Sequence, residues 1–180
     1  IWTALAGRLG AQNLLQDRGC LYLYATEAEA RAAAPDLAAR RALGIVVDQI
    51  DAGALAAMEP GLPPMAGGAA FFRGAQFITD PGAMMAALTH AVVEAGVEIM
   101  RAKVTDLERA AVGVVVKGPG LLRTARTIVI ATGARSRALA RFAGDRVPLD
   151  TERGYHLEWD MPTPPITRPS CAVSRGFYLC

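Results

Sequence analysis

The sequence predicts a mixed α/β (α+β) protein with two lobes. One lobe is built on an antiparallel sheet, and the other on a β-meander with one buried parallel-type strand. Residues 18–24 alternate small or polar with apolar side chains, as a half-buried strand does. Short β-like segments between residues 104 and 125 are separated by turns. Residues 127–131 are nearly all apolar, which is typical of a strand buried on both faces of a parallel sheet.

The composition excludes two classes of protein. Of the 180 residues, 52% are hydrophobic, and the formal net charge is +2 at pH 7. Burial of so many apolar side chains can offset the conformational entropy of the chain, so intrinsic disorder is excluded. The near-zero net charge argues against a nucleic-acid partner, because such a partner requires a clustered basic surface.

Cysteine content and hydropathy predict where the protein works. Cys20, Cys171 and Cys180 are odd in number and form no CxxC pair, so we expect neither a disulfide framework nor a metal site. No apolar run approaches the roughly 20 residues that span a bilayer. We therefore expect a cytoplasmic protein, and we leave open a peripheral attachment to the inner face of the membrane.

Side-chain caps mark the helix starts in the first part of the chain. Thr26 with Glu29 forms a capping box, and Asp51 can cap a second helix. In order, the pattern predicts a helix from 26 to about 43 broken at Pro35, a strand at 45–47, a helix at 51–58, a loop at 62–68 and strands within 69–78.

The later part of the chain begins with another helix start. Asp80 is an N-cap and Pro81 occupies the first turn, and the apolar stripe of this helix ends at Gly96. The elements predicted after it are a strand beginning at 97–99, a meander at 104–107, 112–116 and 121–125, the buried strand at 127–131, a helix at 136–142, and strands at 152–159 and 172–179 around a loop at 162–169.

The chain lacks the local motifs of several enzyme classes. It contains no GxGxxG or GxxxxGK[ST] phosphate loop, no GxSxG nucleophile elbow and no HExxH zinc motif. His90 and His156 are too far apart in sequence to indicate a local dyad. We therefore predict no catalytic acid–base residue and no metal ligand.

A short turn connects the apolar run to the next helix. Backbone amides of Thr132-Gly133-Ala134 and the helix dipole would favour an anion there. Gly133 carries no side chain that would block a close approach. Two interpretations stay open: the turn receives a phosphate-bearing cofactor, or it only packs a strand tightly against a helix.

Several motifs follow one another in a set order: Gly19-Cys20-Leu21-Tyr22-Leu23, Met58-Glu59-Pro60, Asp80-Pro81, Gly133-Ala134 followed by Ser136, Val147-Pro148 and Arg153-Gly154-Tyr155. In this order the sequence resembles the FAD-dependent amine oxidoreductases related to D-amino acid oxidase, D-amino acid dehydrogenase and glycine oxidase. The resemblance extends over nearly the whole chain.

The resemblance implies FAD as the cofactor of the full-length protein rather than of this chain alone. By position, Val104 corresponds to a residue whose backbone contacts the adenine end of FAD. Ala131, Thr132, Gly133 and Ala134 correspond to the turn near the pyrophosphate and ribityl chain.

The resemblance also implies a substrate site. Residues 176–179 resemble the strand that brings a tyrosine to the substrate carboxylate in glycine oxidase-like members, so Tyr178 is the leading substrate residue. The alternative for Tyr178 is a half-buried strand tyrosine with a satisfied hydroxyl. Arg175 and His156 are lesser candidates for the substrate cleft, and their alternative is a solvated or boundary position.

The family pattern predicts how the chain is divided. Its N-terminal glycine-rich fingerprint and C-terminal flavin-covering segment have no counterpart here, so we interpret the chain as an internal fragment. Residues 1–79 would be the first part of the substrate lobe, 80–146 a partial FAD-binding lobe, and 147–180 the second part of the substrate lobe. We expect the surface left exposed by the missing parts to promote self-association.

The implied reaction is the oxidative deamination of a D-amino acid or a related amine. A hydride passes from the substrate α-carbon to flavin N5, and the imine is then hydrolysed; the isolated chain should be inactive. Within the family, sarcosine, glycine, a 2-hydroxy acid or a glycerol phosphate are alternative substrates. The alternative from another class is a non-catalytic binding domain, which should behave as a complete and monomeric unit.

Overall fold

The computed structural model describes residues 1–180, which divide into two units. The first unit contains Ile1–Val97 and Asp160–Cys180, and the second contains Glu98–Trp159. The assignment of residues 1–79 and 147–180 to a substrate lobe, and of 80–146 to an FAD-binding lobe, stays a prediction.

Helices and strands are numbered along the chain. The elements are α1 (Trp2–Leu9), β1 (Leu15–Gln16), β2 (Cys20–Leu23), α2 (Glu27–Ala32), α3 (Ala34–Ala42), β3 (Asp48–Ile50), α4 (Ala52–Met58), β4 (Ala69–Phe72), β5 (Phe77–Ile78), α5 (Pro81–Glu94), β6 (Asp106–Arg109), β7 (Val114–Gly118), β8 (Leu121–Ala125), α6 (Ser136–Ala143), β9 (Ser170–Ala172) and β10 (Phe177–Leu179). Short 3₁₀ turns occur at Gln12–Leu14, Gly133–Arg135 and Val173–Arg175. The predicted mixed α/β class is confirmed.

The main sheet of the first unit has the strand order β10-β9-β2-β4-β3. Strands β2 and β9 are parallel, and the other pairs are antiparallel. One face of the sheet contributes Phe72 to a core cluster with Leu37 of α3. The other face contributes Leu21 and Leu23 to a cluster with Leu55 of α4. Helices on both faces therefore bury the centre of the sheet.

Local caps act as the sequence predicts. The Thr26 hydroxyl accepts the Glu29 N–H at 3.2 Å, and the Glu29 carboxylate accepts the Ala25 N–H at 2.8 Å. Asp51 and Asp80 cap α4 and α5 in the same way. The predicted break at Pro35 separates α2 from α3. Each of these features depends only on neighbouring residues.

Three strand predictions in the first unit are wrong. Residues 45–47 are not a strand, because the Ile45 N–H donates to Arg40 O at the end of α3 and the Val47 carbonyl accepts from Arg41; the strand is β3. Residues 97–99 form no strand, since the Val97 N–H is bonded to Val92 O. The single strand predicted at 172–179 is replaced by the end of β9, a 3₁₀ turn and β10, because the chain reverses at this turn and at Gly176 (φ +67°).

The second unit is a three-stranded antiparallel meander with one helix. Strands β6, β7 and β8 pair in sequence order, as predicted to within two residues. Helix α6 packs on β6, with Leu107 and Ala140 buried.

The prediction of a buried parallel strand at 127–131 is wrong for this structure. The run pairs with no strand, and Val129 is 83% exposed. A parallel strand requires hydrogen-bonding neighbours, and the meander supplies none. The predicted strand at 152–159 is also absent, and Tyr155, Leu157 and Trp159 are exposed.

The helices are all too short or too polar to cross a bilayer.

Candidate functional site

Three polar side chains form a row across one face of the main sheet. Tyr178 of β10 lies opposite Cys171 of β9, and Cys171 lies beside Tyr22 of β2. Because directly paired residues point to the same face of a sheet, the hydroxyl, thiol and hydroxyl groups are neighbours. We call Tyr178, Cys171 and Tyr22 the sheet-face row.

Tyr178 is the accessible end of this row. Its strand is at the edge of the sheet, and the side chain is 64% exposed. Interaction with the Cys171 thiol, and then with the Tyr22 hydroxyl, raises the pKa of Tyr178 to about 12. The hydroxyl is therefore protonated at neutral pH and can donate a hydrogen bond to an incoming anion such as a carboxylate.

The other end of the row borders a cavity of about 500 Å³. Its lining residues come from β2, from α3 and the segment that follows it, and from β4 and the turn that follows it: Cys20, Tyr22, Arg40, Gly44, Ile45, Val46, Phe72, Gly74 and Ala75. Burial, followed by the nearby Cys171, raises the pKa of the Cys20 thiol, so this group stays neutral. The cavity therefore offers an apolar and aromatic wall.

One cation borders this wall. The Arg40 guanidinium lies over the rings of Tyr22 and Phe72, 5.6 and 5.5 Å from their centres. It also pairs with Asp36 at 2.6 Å, and this hydrogen bond raises the pKa of Arg40. The Asp36 carboxylate balances the charge of Arg40, whose guanidinium and stem cover the aromatic and apolar surface of the wall. The sequence reasoning missed Arg40, whose i, i+4 spacing to Asp36 was its only local signal.

The two lesser substrate candidates are solvent-exposed. Arg175 lies in the 3₁₀ turn between β9 and β10, on the same hairpin as Tyr178, and has no carboxylate within 4.0 Å. His156 belongs to the second unit, 3.5 Å from Glu158. The structure thus brings Tyr178 together with Tyr22 and Cys171, which the sequence did not indicate.

The turn at 131–134 is open to solvent. Ala131, Thr132, Gly133 and Ala134 are all exposed, and Gly133 adopts φ +57°. A Cβ at Gly133 would meet nothing within 4 Å, so no other part of the chain fills this space. No side chain caps the start of the following helix, but the Arg135 and Ser136 amides are bonded to Thr132 O and Gly133 O. The amides of Gly133 and Ala134 donate to no group of the chain and are free for a ligand. Small exposed residues and free amides fit the phosphate-bearing part of a dinucleotide such as FAD.

Val104 lies two residues before β6, the first strand of the meander. It is half-buried, and the following Thr105 N–H donates to Lys117 O at 2.9 Å. This bond fixes the backbone at Val104 against β7, as a backbone contact to a cofactor requires.

The sequence reasoning missed a buried ionic cluster in the first unit. Glu59 is 0% exposed, and its carboxylate accepts from the Thr167 N–H, the Thr167 hydroxyl and the Arg168 Nε–H at 2.8, 2.6 and 2.6 Å. Burial alone would raise the pKa of Glu59, but the bonds from Thr167 and Arg168 outweigh it and lower the pKa. The sequence analysis used Met58-Glu59-Pro60 as a family motif, but it did not identify the partners of Glu59, which lie over 100 residues further along the chain.

The sequence model of the family of FAD dependent oxidoreductases (DAO) matches residues 1–179. The chain belongs to this family. The family resemblance noted from the order of the motifs is therefore confirmed. The family consists of FAD-dependent flavoproteins and includes amino acid oxidases.

Two relatives place the chain within the family. It is 34% identical over 126 residues to a D-amino-acid oxidase of Bradyrhizobium diazoefficiens. The matched residues cover 68% of this chain and 30% of that protein. Its fold is similar to the crystal structure of glycine oxidase from Geobacillus kaustophilus, with a TM-score of 0.79 and 25% identity over 98% of this chain and 49% of that one. The chain thus spans less than half the length of each of these relatives.

A more distant structure shows the same fold. L-proline dehydrogenase from P. horikoshii matches 79% of this chain and 38% of its own length, at 18% identity and a TM-score of 0.65. In this chain the turn at 131–134 offers free backbone amides, and the sheet-face row offers the exposed hydroxyl of Tyr178.

Proposed function

We propose that this chain is part of an FAD-dependent enzyme that oxidatively deaminates a D-amino acid or a related amine. The observation that carries the proposal is the exposed and protonated Tyr178 hydroxyl at the open end of the sheet-face row. The 34% identity to a D-amino-acid oxidase supports the D-amino acid as the first substrate class.

The first unit has the chemistry to bind an amino acid. Tyr178 donates a hydrogen bond to the substrate carboxylate, and Arg175, on the turn before it, adds a positive charge nearby. The cavity beside Tyr22 gives an apolar side chain a surface to contact. His156 is proposed for the substrate cleft from the family resemblance alone.

The second unit has the backbone to bind the cofactor. Val104 would contact the adenine end of FAD through its backbone. The amides around Ala131, Thr132, Gly133 and Ala134 would receive the pyrophosphate and ribityl chain. When bound, FAD supplies the hydride acceptor for the substrate α-carbon. Because water completes the deamination by hydrolysing the imine, no protein nucleophile is required.

A second candidate substrate is glycine or a small secondary amine. The similarity of the fold to a glycine oxidase at a TM-score of 0.79 favours it. A panel of D-amino acids, their L enantiomers, glycine and sarcosine, given to the full-length protein, separates the two candidates. A larger kcat/KM for glycine and sarcosine than for every D-amino acid would replace the first candidate with the second.

The function is tested in the full-length protein that contains this chain. We expect it to purify with the visible absorption of bound FAD; a colourless protein that takes up no added FAD would end the proposal. Tyr178→Phe should raise KM for the carboxylate substrate about tenfold or more, since a hydrogen bond to a charged group is worth about 1.5–3 kcal/mol. The matched amine without a carboxyl group is the control, and its KM should not change. An unchanged KM for both substrates would remove Tyr178 from the site.

A further inference from the structure

A second cavity lies in the second unit, and none of the residues assigned above lines it. Helix α6 and the segment that follows it border a half-open cavity of about 300 Å³. Arg137, Arg141 and Arg146 line this cavity together with residues 147–150. We call these three residues the arginine cluster.

The local backbone explains why the three arginines converge. Arg137 and Arg141 are four residues apart, so they lie on the same face of α6. Gly144 at φ +92° ends the helix, with its N–H bonded to Arg141 O. The Asp145 N–H returns to Ala140 O, and this reversal directs Arg146 back along the helix.

The cluster has no neutralising partner within the chain. None of the three guanidinium groups lies within 4.0 Å of a carboxylate. Asp150 is the acidic residue of the lining, and its Oδ1 accepts the Thr151 N–H.

Four other arginines of the chain are paired, Arg31 with Glu27, Arg40 with Asp36, Arg73 with Asp48 and Arg168 with Glu59, whereas single exposed arginines such as Arg101 and Arg126 are not. What distinguishes the arginine cluster is that three unpaired guanidinium groups line one cavity. Like charges four residues apart on a helix are destabilising, so an unpaired cluster around a concave surface is unfavourable until an anion binds.

We propose that the arginine cluster binds a diphosphate-type oxyanion. Guanidinium groups present planar forks of N–H donors that match phosphate oxygens and remain charged at every physiological pH. The cavity has room for about ten water molecules at about 30 Å³ each, which suits a diphosphate group. The site goes beyond the proposed function, because it uses none of the residues assigned to FAD or substrate.

Calorimetric titration of inorganic pyrophosphate into the full 180-residue chain tests the proposal. We expect one saturable site whose affinity falls as salt is added. The double variant R137Q/R141Q should bind at least tenfold more weakly. The matched control R101Q/R126Q removes two exposed and unpaired arginines of the same unit, and should change the affinity less than twofold. R146K keeps the charge but loses the fork, and should give an intermediate loss.

Two further measurements keep the result unambiguous. Circular dichroism must show the same helix content in R137Q/R141Q, and a variant that unfolds is replaced by R141Q alone. ADP as a second probe separates the sources of the anion: equal affinity to pyrophosphate indicates the free diphosphate, and tighter binding indicates a nucleotide. Three results would overturn the proposal: no saturable binding, equal weakening by both double variants, or loss of binding in Gly133→Ala with retention in R137Q/R141Q.

Discussion

The two units differ in how much of their apolar surface they bury. In the first unit, Leu21, Leu23 and Leu37 are at most 2% exposed, between helices on both sides of the sheet. In the second unit, only Leu107 and Ala140 are buried, while Val129 and Trp159 are 83% and 69% exposed. A meander with one helix can form from local signals, but it supplies too little surface to cover its apolar segments. The first unit should therefore be the more stable one.

The largest effect should come from removing a core leucine from each unit. Leu21→Ala leaves a cavity at the centre of the main sheet and should cost about 2–5 kcal/mol. Leu107 is 9% exposed and is covered by one helix. Leu107→Ala should therefore lower the free energy of unfolding by an amount at or below the lower end of that range. Hydrogen exchange of peptides from each unit measures both losses. Equal losses would contradict the difference in burial.

The next effect concerns the charged cluster of the first unit. Glu59→Gln places a neutral amide against Thr167 and Arg168 and should cost about 1–3 kcal/mol at pH 7. The folded state lowers the pKa of Glu59, so its charge stabilises the fold above the unfolded pKa of about 4.3, and this stabilisation is lost as the pH falls through the lower folded value.

Urea unfolding between pH 3 and pH 7 measures the Glu59 effect. The difference in the free energy of unfolding between the parent chain and Glu59→Gln should become smaller below about pH 4. Glu27→Gln is the control, because Glu27 is in an exposed pair with Arg31, and such pairs contribute about 0–1 kcal/mol. A constant gap across this range would show that the Glu59 charge does not stabilise the fold.

The smallest effect concerns helix starts. In the first unit Asp80 caps α5 through the Ala83 N–H at 2.8 Å, whereas no side chain caps α6 of the second unit. Asp80→Ala should lower the stability of the first unit by about 1 kcal/mol. Arg135→Ala, at the start of α6, removes no cap and should change stability by less than half of the loss expected for Asp80→Ala. Thermal unfolding of both variants makes the comparison, and an equal loss in the two would refute it.

The features that the sequence predicted correctly are those decided by neighbouring residues. Thr26, Asp51, Asp80 and Pro35 each act on residues within four positions, and the family resemblance likewise depended on short motifs. Strand pairing and the buried cluster depend on residues far apart in the chain, such as Glu59 and Arg168.

The apolar run at 127–131 shows most clearly what a local sequence pattern cannot predict. Its composition favours a buried strand, but a strand forms only where neighbours accept its hydrogen bonds. For the candidate site, the sequence indicated Tyr178 from resemblance, whereas its proximity to Cys171 and Tyr22 required the sheet register.

The parallel pairing of β2 with β9 also affects how the chain is made. Some 150 residues separate Arg18 from Arg168, which donates to the Arg18 carbonyl beside this pair. A ribosome adding 5–20 residues per second needs about 8–30 s to synthesise that interval. During this time the second unit is synthesised, while β2 has an unpaired edge open to other chains. The nascent protein is therefore most vulnerable to misassembly before residue 170 leaves the exit tunnel.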